Sequence, residues 1–418
     1  MNVRMNTKRL AIAIAGVLMV VAGCSSSKSS TAGSSSTPGG GSAGGTKTLT
    51  VGLFTDLTGP AASGNKTSVQ GVQAGVASLA AKAGYTIKYV TVDTATSPAT
   101  ALTAAQQLVE QDHVFAVIAD SSLLFAGASY LTSQGIPVVG VAEDGPEWIT
   151  AKNMFSVYGP TDLTKVTSTI GAFFKKEGGT VLGSLGYGIS PSSAASAKDS
   201  AASAQAAGLN VGYLNANFPF GSTNVAPIAL AMKSAGVDTM TASVDPNTGF
   251  ALITALRQAG VNLKVALLPT GYGGDLLQAG PGAVQAAQNV YFLSSYEPIE
   301  MQTAATNRFK SALRSVGITT DPTYAEYAGY SSVALLIDGL KAAGPNPTRA
   351  GLITALSGIT DFNADGLFGS HKLDLSNRTN SAVGVDNCYW ITKLHGSTFD
   401  LVPGADPICG TVVSTRTG

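Results

Sequence analysis

The chain has 418 residues, with 25 Lys+Arg against 25 Asp+Glu, and only 12% of its residues are charged. That balance leaves no basic field for nucleic acid and no block of acidic charge. The length exceeds what one hydrophobic core organises, which makes two domains the default expectation.

In chain order, Arg4, Lys8 and Arg9 precede an uncharged apolar stretch, Leu10–Ala22. It is too short to span a bilayer, which takes about 20 residues, and suits a secretory signal. The stretch ends in Val21-Ala22-Gly23-Cys24, which resembles the lipobox of bacterial lipoproteins. That resemblance implies cleavage after residue 23 and a lipid on Cys24, as against an ordinary signal with an incidental cysteine. Ser25–Gly45 holds nine serines and six glycines, a composition that cannot bury a core and behaves as a flexible tether with a reach of roughly 25 Å. Residues 1–23 are thus expected to be a leader and 24–46 an anchor and spacer.

From residue 47 strands and helices alternate. Strands are expected at Thr48–Thr55, Thr86–Asp93, Val114–Ala119 and Ile136–Val141, with helices between them, one entered through Pro98. This block ends near Tyr158. A second block runs from a helix at Leu163–Glu177 through strands at Thr180–Leu185, Asn210–Leu214, Thr239–Val244, Lys264–Leu268 and Val290–Leu293. Short connections between alternating elements predict parallel sheets covered on both faces. The helical stretches Gln302–Val316, Tyr324–Ala342 and Arg349–Leu356 have no strands of their own. They are expected to return to the first block, which makes both domains discontinuous.

Ligands in open parallel sheets bind beyond the carboxyl ends of the strands. Asp120, Ser121 and Ser122 interrupt the chain there, before a helix whose free N–H groups suit an anion. Alternatively, the serines only cap that helix. Cys388 and Cys409, 21 positions apart in an exported chain, are expected to form a disulfide.

The segment Leu53–Gly59 (LFTDLTG) with Pro60, the Asp93 strand end, Ser121-Ser122, Ile136–Val139, Pro146-Glu147 and Tyr187-Gly188 fall in a familiar order. The chain resembles type I periplasmic binding proteins, in particular the leucine/isoleucine/valine-binding branch of ABC-importer receptors, over about Leu49 to Leu394. The resemblance implies an α/β fold of two Rossmann-like lobes with parallel sheets joined by a three-crossover hinge. It divides the chain into an N-terminal lobe (47–159 and 294–366) and a C-terminal lobe (160–293 and 367–418). It implies a ligand carboxylate on Ser122 supported by Ser121, a second turn at Ala142, Glu143 and Asp144, and second-lobe contacts from Tyr187 and near Asp245. Trp148, after the second turn, is read as core.

Two departures stand out. The acidic residue that the family pairs with a ligand ammonium is missing near Gly271-Tyr272, while Glu143 and Asp144 occupy a turn usually built of small or hydroxyl residues. A buried carboxylate without a cation is expensive. Glu143 or Asp144 in the cleft would therefore call for a positive or hydrogen-bond-donating ligand group; the alternative is that both face solvent. Tyr187 and Tyr272 are candidates to stack on a planar ligand, or else are packed rims. His113, His371 and His395 lie in no metal spacing, and no G-x-S-x-G elbow occurs. The expected protein is a monomeric, lipid-anchored receptor on the extracytoplasmic side of the cell membrane, without cofactor or metal. It would deliver a small polar solute, an amino acid or related amide or carboxylate, to an ABC permease. Alternatives are a sensor of the same fold coupled to regulation and, less favoured, a secreted hydrolase.

Overall fold

The computed structural model describes residues 47–159, 161–379, 381–402 and 404–415. The expected leader, the expected tether and Cys24 lie outside the described residues. Two sheets organise the chain. In the first, β1 (Lys47–Thr55), β2 (Tyr85–Asp93), β3 (Ala116–Asp120), β4 (Val138–Gly140) and β5 (Met154–Ser156) run parallel in the order β2-β1-β3-β4-β5. Every residue of β3 is buried, as a central strand covered on both faces requires.

A short strand, β6 (Lys165–Thr167), follows, and then the second sheet. That sheet is built from β7 (Val181–Tyr187), β8 (Asn210–Phe218), β9 (Thr239–Ser243), β10 (Val265–Leu268), β11 (Tyr291–Ser294), β12 (Cys388–His395) and β13 (Thr398–Val402). Their order is β13-β12-β11-β10-β9-β7-β8, with β12 and β13 antiparallel. The expectation of purely parallel sheets fails at this edge, where a C-terminal hairpin that the sequence did not reveal completes the second lobe. β14 (Ile408–Cys409) pairs with β12 and puts Cys388 opposite Cys409, which are joined by a disulfide.

The chain passes between the sheets three times: between β5 and β6, after β11, and before β12. The helices after β11 do return to the first sheet. Tyr324–Ala343 packs on Ser68–Gly75 and lies against β3 and β4. The crossing is closest at two glycines: a Cβ on Gly71 would stand 2.2 Å from the Glu326 carbonyl, and one on Gly329 2.4 Å from that of Ser68. Tyr324–Ala343 starts on a capping box, with Thr323 accepting from Glu326 N–H and the Glu326 carboxylate accepting from Thr323 N–H.

The helix expected over Leu163–Glu177 is shorter, Thr169–Lys176. Residues 165–167 are β6 instead, held by antiparallel pairing with β15 (Val412–Thr415). A ladder to a partner some 245 residues away leaves no trace in local periodicity. No described helix is long and apolar enough to cross a membrane.

Candidate functional site

The carboxyl ends of both sheets face one cavity of about 220 Å³. The first lobe supplies Asn65 after β1, Ser122 after β3, Ala142 and Glu143 after β4, and Tyr158 after β5. The second supplies Tyr187 at the end of β7, Ser243 at the end of β9 and Asp245 after it, Thr270 after β10 and Ser295 after β11. Tyr324, the first residue of its helix, closes the hinge side with Asp275.

Direct hydrogen bonds bridge the lobes beside the cavity. Ser63 donates to Asp245 (3.3 Å), while Ser192 N–H and the Ser190 hydroxyl donate to the Asp144 carbonyl (3.2 and 3.3 Å). Along the second-lobe wall, Ser193, Ser196, Ser200 and Ser203 repeat at helical spacing on Pro191–Ala206 and carry the cavity inward toward Leu293 and Tyr389.

Five of the residues singled out from the sequence, Ser122, Ala142, Glu143, Tyr187 and Asp245, line the cavity together. Three do not. Ser121 is buried, donates to Asp56 (2.7 Å) and accepts from Leu123 N–H (3.1 Å), so it orders the turn from behind. Asp144 neither faces solvent nor enters the cavity. It is fully buried and accepts from Phe125 N–H (2.7 Å) and the Trp148 indole (2.9 Å), which fixes Trp148 in the core. Tyr272 is buried against Phe399 and donates to Glu300, so its ring has no open face for a ligand.

The residue that organises the first-lobe wall is Asp56, within the LFTDLTG segment but not picked out from it. Its fully buried carboxylate accepts from Ser122 N–H (2.9 Å), the Ser121 hydroxyl (2.7 Å), Asn65 Nδ2 (2.7 Å) and the Thr94 hydroxyl. At Ser122, the residue to which the resemblance assigns a ligand carboxylate, the N–H is therefore occupied by the protein itself. Asn65 also reaches Ser122 Oγ (3.1 Å) and Glu143 Oε1 (3.0 Å). Burial and the nearby Asp56 push the Glu143 carboxyl up to about 8, and burial raises Asp275 to about 8 as well.

On the opposite wall, Asp245 caps the helix Pro246–Gln258 through Thr248 N–H (3.1 Å) and accepts from the Tyr187 hydroxyl. Burial, then Asp245, makes that phenol a weaker acid. The Tyr187 ring stands 4.5 Å from that of Phe220.

A family model described as "periplasmic binding protein" matches residues 48–398. The chain belongs to the periplasmic binding proteins. Its lobes have the type I arrangement, and solved structures of that fold align along nearly their whole length. A Rhodopseudomonas palustris solute-binding protein in complex with benzoate is 19% identical, with 87% of this chain and 98% of that chain covered and a TM-score of 0.71. A leucine-binding protein from Thermotoga maritima is 16% identical, with 87% and 99% covered and a TM-score of 0.71. A fatty acid ABC transporter substrate-binding protein from Thermomonospora curvata is 19% identical, with 88% and 92% covered and a TM-score of 0.68. No curated protein matches the sequence.

Proposed function

We propose that this periplasmic binding protein is the solute receptor of an ABC importer, held on the extracytoplasmic face of the cell membrane by a lipid on Cys24 and the Ser25–Gly45 tether. A small polar solute enters the cavity, touches Ser122, Ala142 and Glu143 on one lobe and Tyr187 and Asp245 on the other, and thereby favours the closed arrangement. The observation that carries this reading is a cavity lined by the strand ends of both lobes, with hydrogen bonds across the cleft beside it. Neighbours of the same fold are named for benzoate, leucine and fatty acid, so fold alone does not choose the solute. The chain acts as a monomer that docks on its permease.

The test is a solute screen on the mature chain by thermal shift, followed by small-angle scattering. A bound solute should shrink the radius of gyration, and Ser122→Ala or Tyr187→Ala should weaken it with the fold intact. A solute that binds both variants as tightly as the parent removes this cavity from the function. Labelling with radioactive palmitate should mark the parent and spare Cys24→Ala; equal labelling of both sinks the anchor.

A further inference from the structure

A helix entered from a parallel strand normally offers its first N–H groups to an anion. Here those donors are already used: Ser122 N–H goes to Asp56 (2.9 Å) and Phe125 N–H to Asp144 (2.7 Å). A ligand carboxylate at this turn would meet Ser122, Leu123 and Phe125 N–H groups that are already taken and would sit against Asp56 and Glu143. Behind them Asp120 is fully buried, and neither of its oxygens has a hydrogen-bond partner. Acids packed this closely, away from water, resist ionising, and an added anion would press them further in that direction. Among the described residues Lys165 is the single basic side chain lining the cavity, and it is engaged by Asp162 (3.2 Å) and the Thr379 carbonyl (2.7 Å).

The same wall carries two features that suit the opposite charge. The rings of Tyr158 and Tyr324, centroids 6.2 Å apart, line the cavity with Glu143, which acts electrostatically on both, and aromatic rings near an acid attract cations. Independently of the acids, Ser192 Oγ on the second-lobe wall is 4% exposed, lines the cavity and has no partner, so a polar ligand atom is called for there.

Building on the solute-receptor reading, we propose that the cavity takes a solute with a cationic nitrogen, an ammonium or amidinium, seated against Glu143, Tyr158 and Tyr324, and that it does not receive a carboxylate at the Ser122 turn. A buried acid cluster without a counter-charge stays protonated; the ligand supplies the missing cation and lets Glu143 ionise against it. Glu143 faces Asp56, Asp120, Asn65, Ser122 and the two tyrosines. Because it holds its proton up to about 8 in this setting, an arriving cation displaces that proton at neutral pH.

The experiment compares matched pairs on the mature chain by isothermal titration: benzylamine with benzoate, and 3-methylbutylamine with 4-methylpentanoate. The amine of each pair should bind more tightly than the carboxylate. Glu143→Gln should weaken the amine by roughly 10- to 100-fold, the loss of one charge-assisted contact. Titration of the parent in two buffers of different ionisation enthalpy should show proton release, a readout that needs no variant. A carboxylate that binds more tightly than its amine, amine binding untouched by Glu143→Gln, or amine binding without proton release overturns the proposal. Native mass spectrometry separates the two levels of failure: a retained anionic solute overturns the cation assignment and leaves the receptor reading standing. No binding by any probe and no retained solute overturns both.

Discussion

Asp275 offers a quantitative test of how the hinge side of the cavity is held. Its carboxyl is 7% exposed and accepts one hydrogen bond, from Tyr324 N–H at 3.1 Å. Burial raises its pKa from an ordinary 3.8 to about 8, with one favourable contribution from that N–H and a further push from Glu326. The unfolded chain loses this proton near pH 4, whereas the folded chain keeps it to about pH 8. Between those limits the folded state binds more protons, so stability falls as pH rises, by about 1.4 kcal/mol per pH unit for one such group. The contribution is intact below pH 4 and gone above 8. From pH 6 to 8 the loss from Asp275 alone is about 2 kcal/mol. Asp275→Asn keeps an acceptor for Tyr324 N–H and cannot ionise. Urea unfolding at pH 6, 7 and 8 should therefore show the variant losing about 2 kcal/mol less than the parent across that range. Glu143, raised to about 8, and Glu326, raised to about 7, remain in both and leave a residual slope. Carboxylates such as Asp93, whose burial is outweighed by hydrogen bonds from Thr58, Ala95 and Leu57, act with the opposite sign below pH 4 and do not enter this window. Parallel stability curves for parent and variant would refute the reasoning.

Replacing both Cys388 and Cys409 by Ala opens a closure of 21 residues. It should lower urea stability by about 3 kcal/mol in the chain-entropy model; an unchanged midpoint would mean that the β12–β13 edge is held without it. Gly329→Ala places a methyl 2.4 Å from the Ser68 carbonyl. Overpacking of about 1–3 kcal/mol should outweigh the gain of about 1 kcal/mol in helix propensity, so a higher melting temperature would show that the two helices are free to part. Asp144→Ala strands the Trp148 indole and Phe125 N–H. The expected cost is roughly 2–3 kcal/mol with a red-shifted tryptophan emission, and emission unchanged from the parent would contradict the buried pairing.

What the sequence disclosed about the fold follows from the range of the interactions involved. The Val114 run reads as a buried central strand because strand burial is written in consecutive residues, and Ala116–Asp120 occupies that place. The return of Tyr324–Ala343 to the first sheet was legible by elimination, since those helices follow the last strand recognised in the second block. The β12–β13 hairpin was not. Cys388–His395 alternates buried and half-exposed residues irregularly, because a strand held between β11 and β13 under a disulfide is positioned by neighbours and not by its own pattern. β6 shows the same limit more sharply: its partner β15 lies at the far end of the chain.

The site divides along a similar line. Parallel topology alone places the residues after β3, β4, β7 and β9 at one gap, which is why Ser122, Ala142, Glu143, Tyr187 and Asp245 meet there. Adjacent residues in an extended turn point to opposite sides. Only one of Glu143 and Asp144 can then enter the cleft, and the free helix N-terminus at Phe125 claims Asp144 from below. The choice between them was therefore decided by a donor in another element. Asp56 was missed for the same reason: its partners at Thr94, Ser121 and Ser122 stand 38 to 66 positions away. Yet Asp56 decides the chemistry of the wall, because a turn with free N–H groups is an anion site and the same turn satisfied by an internal carboxylate is not. In this chain, the charge that the first-lobe wall can accept is set by the acid that follows β1 beside the serine turn.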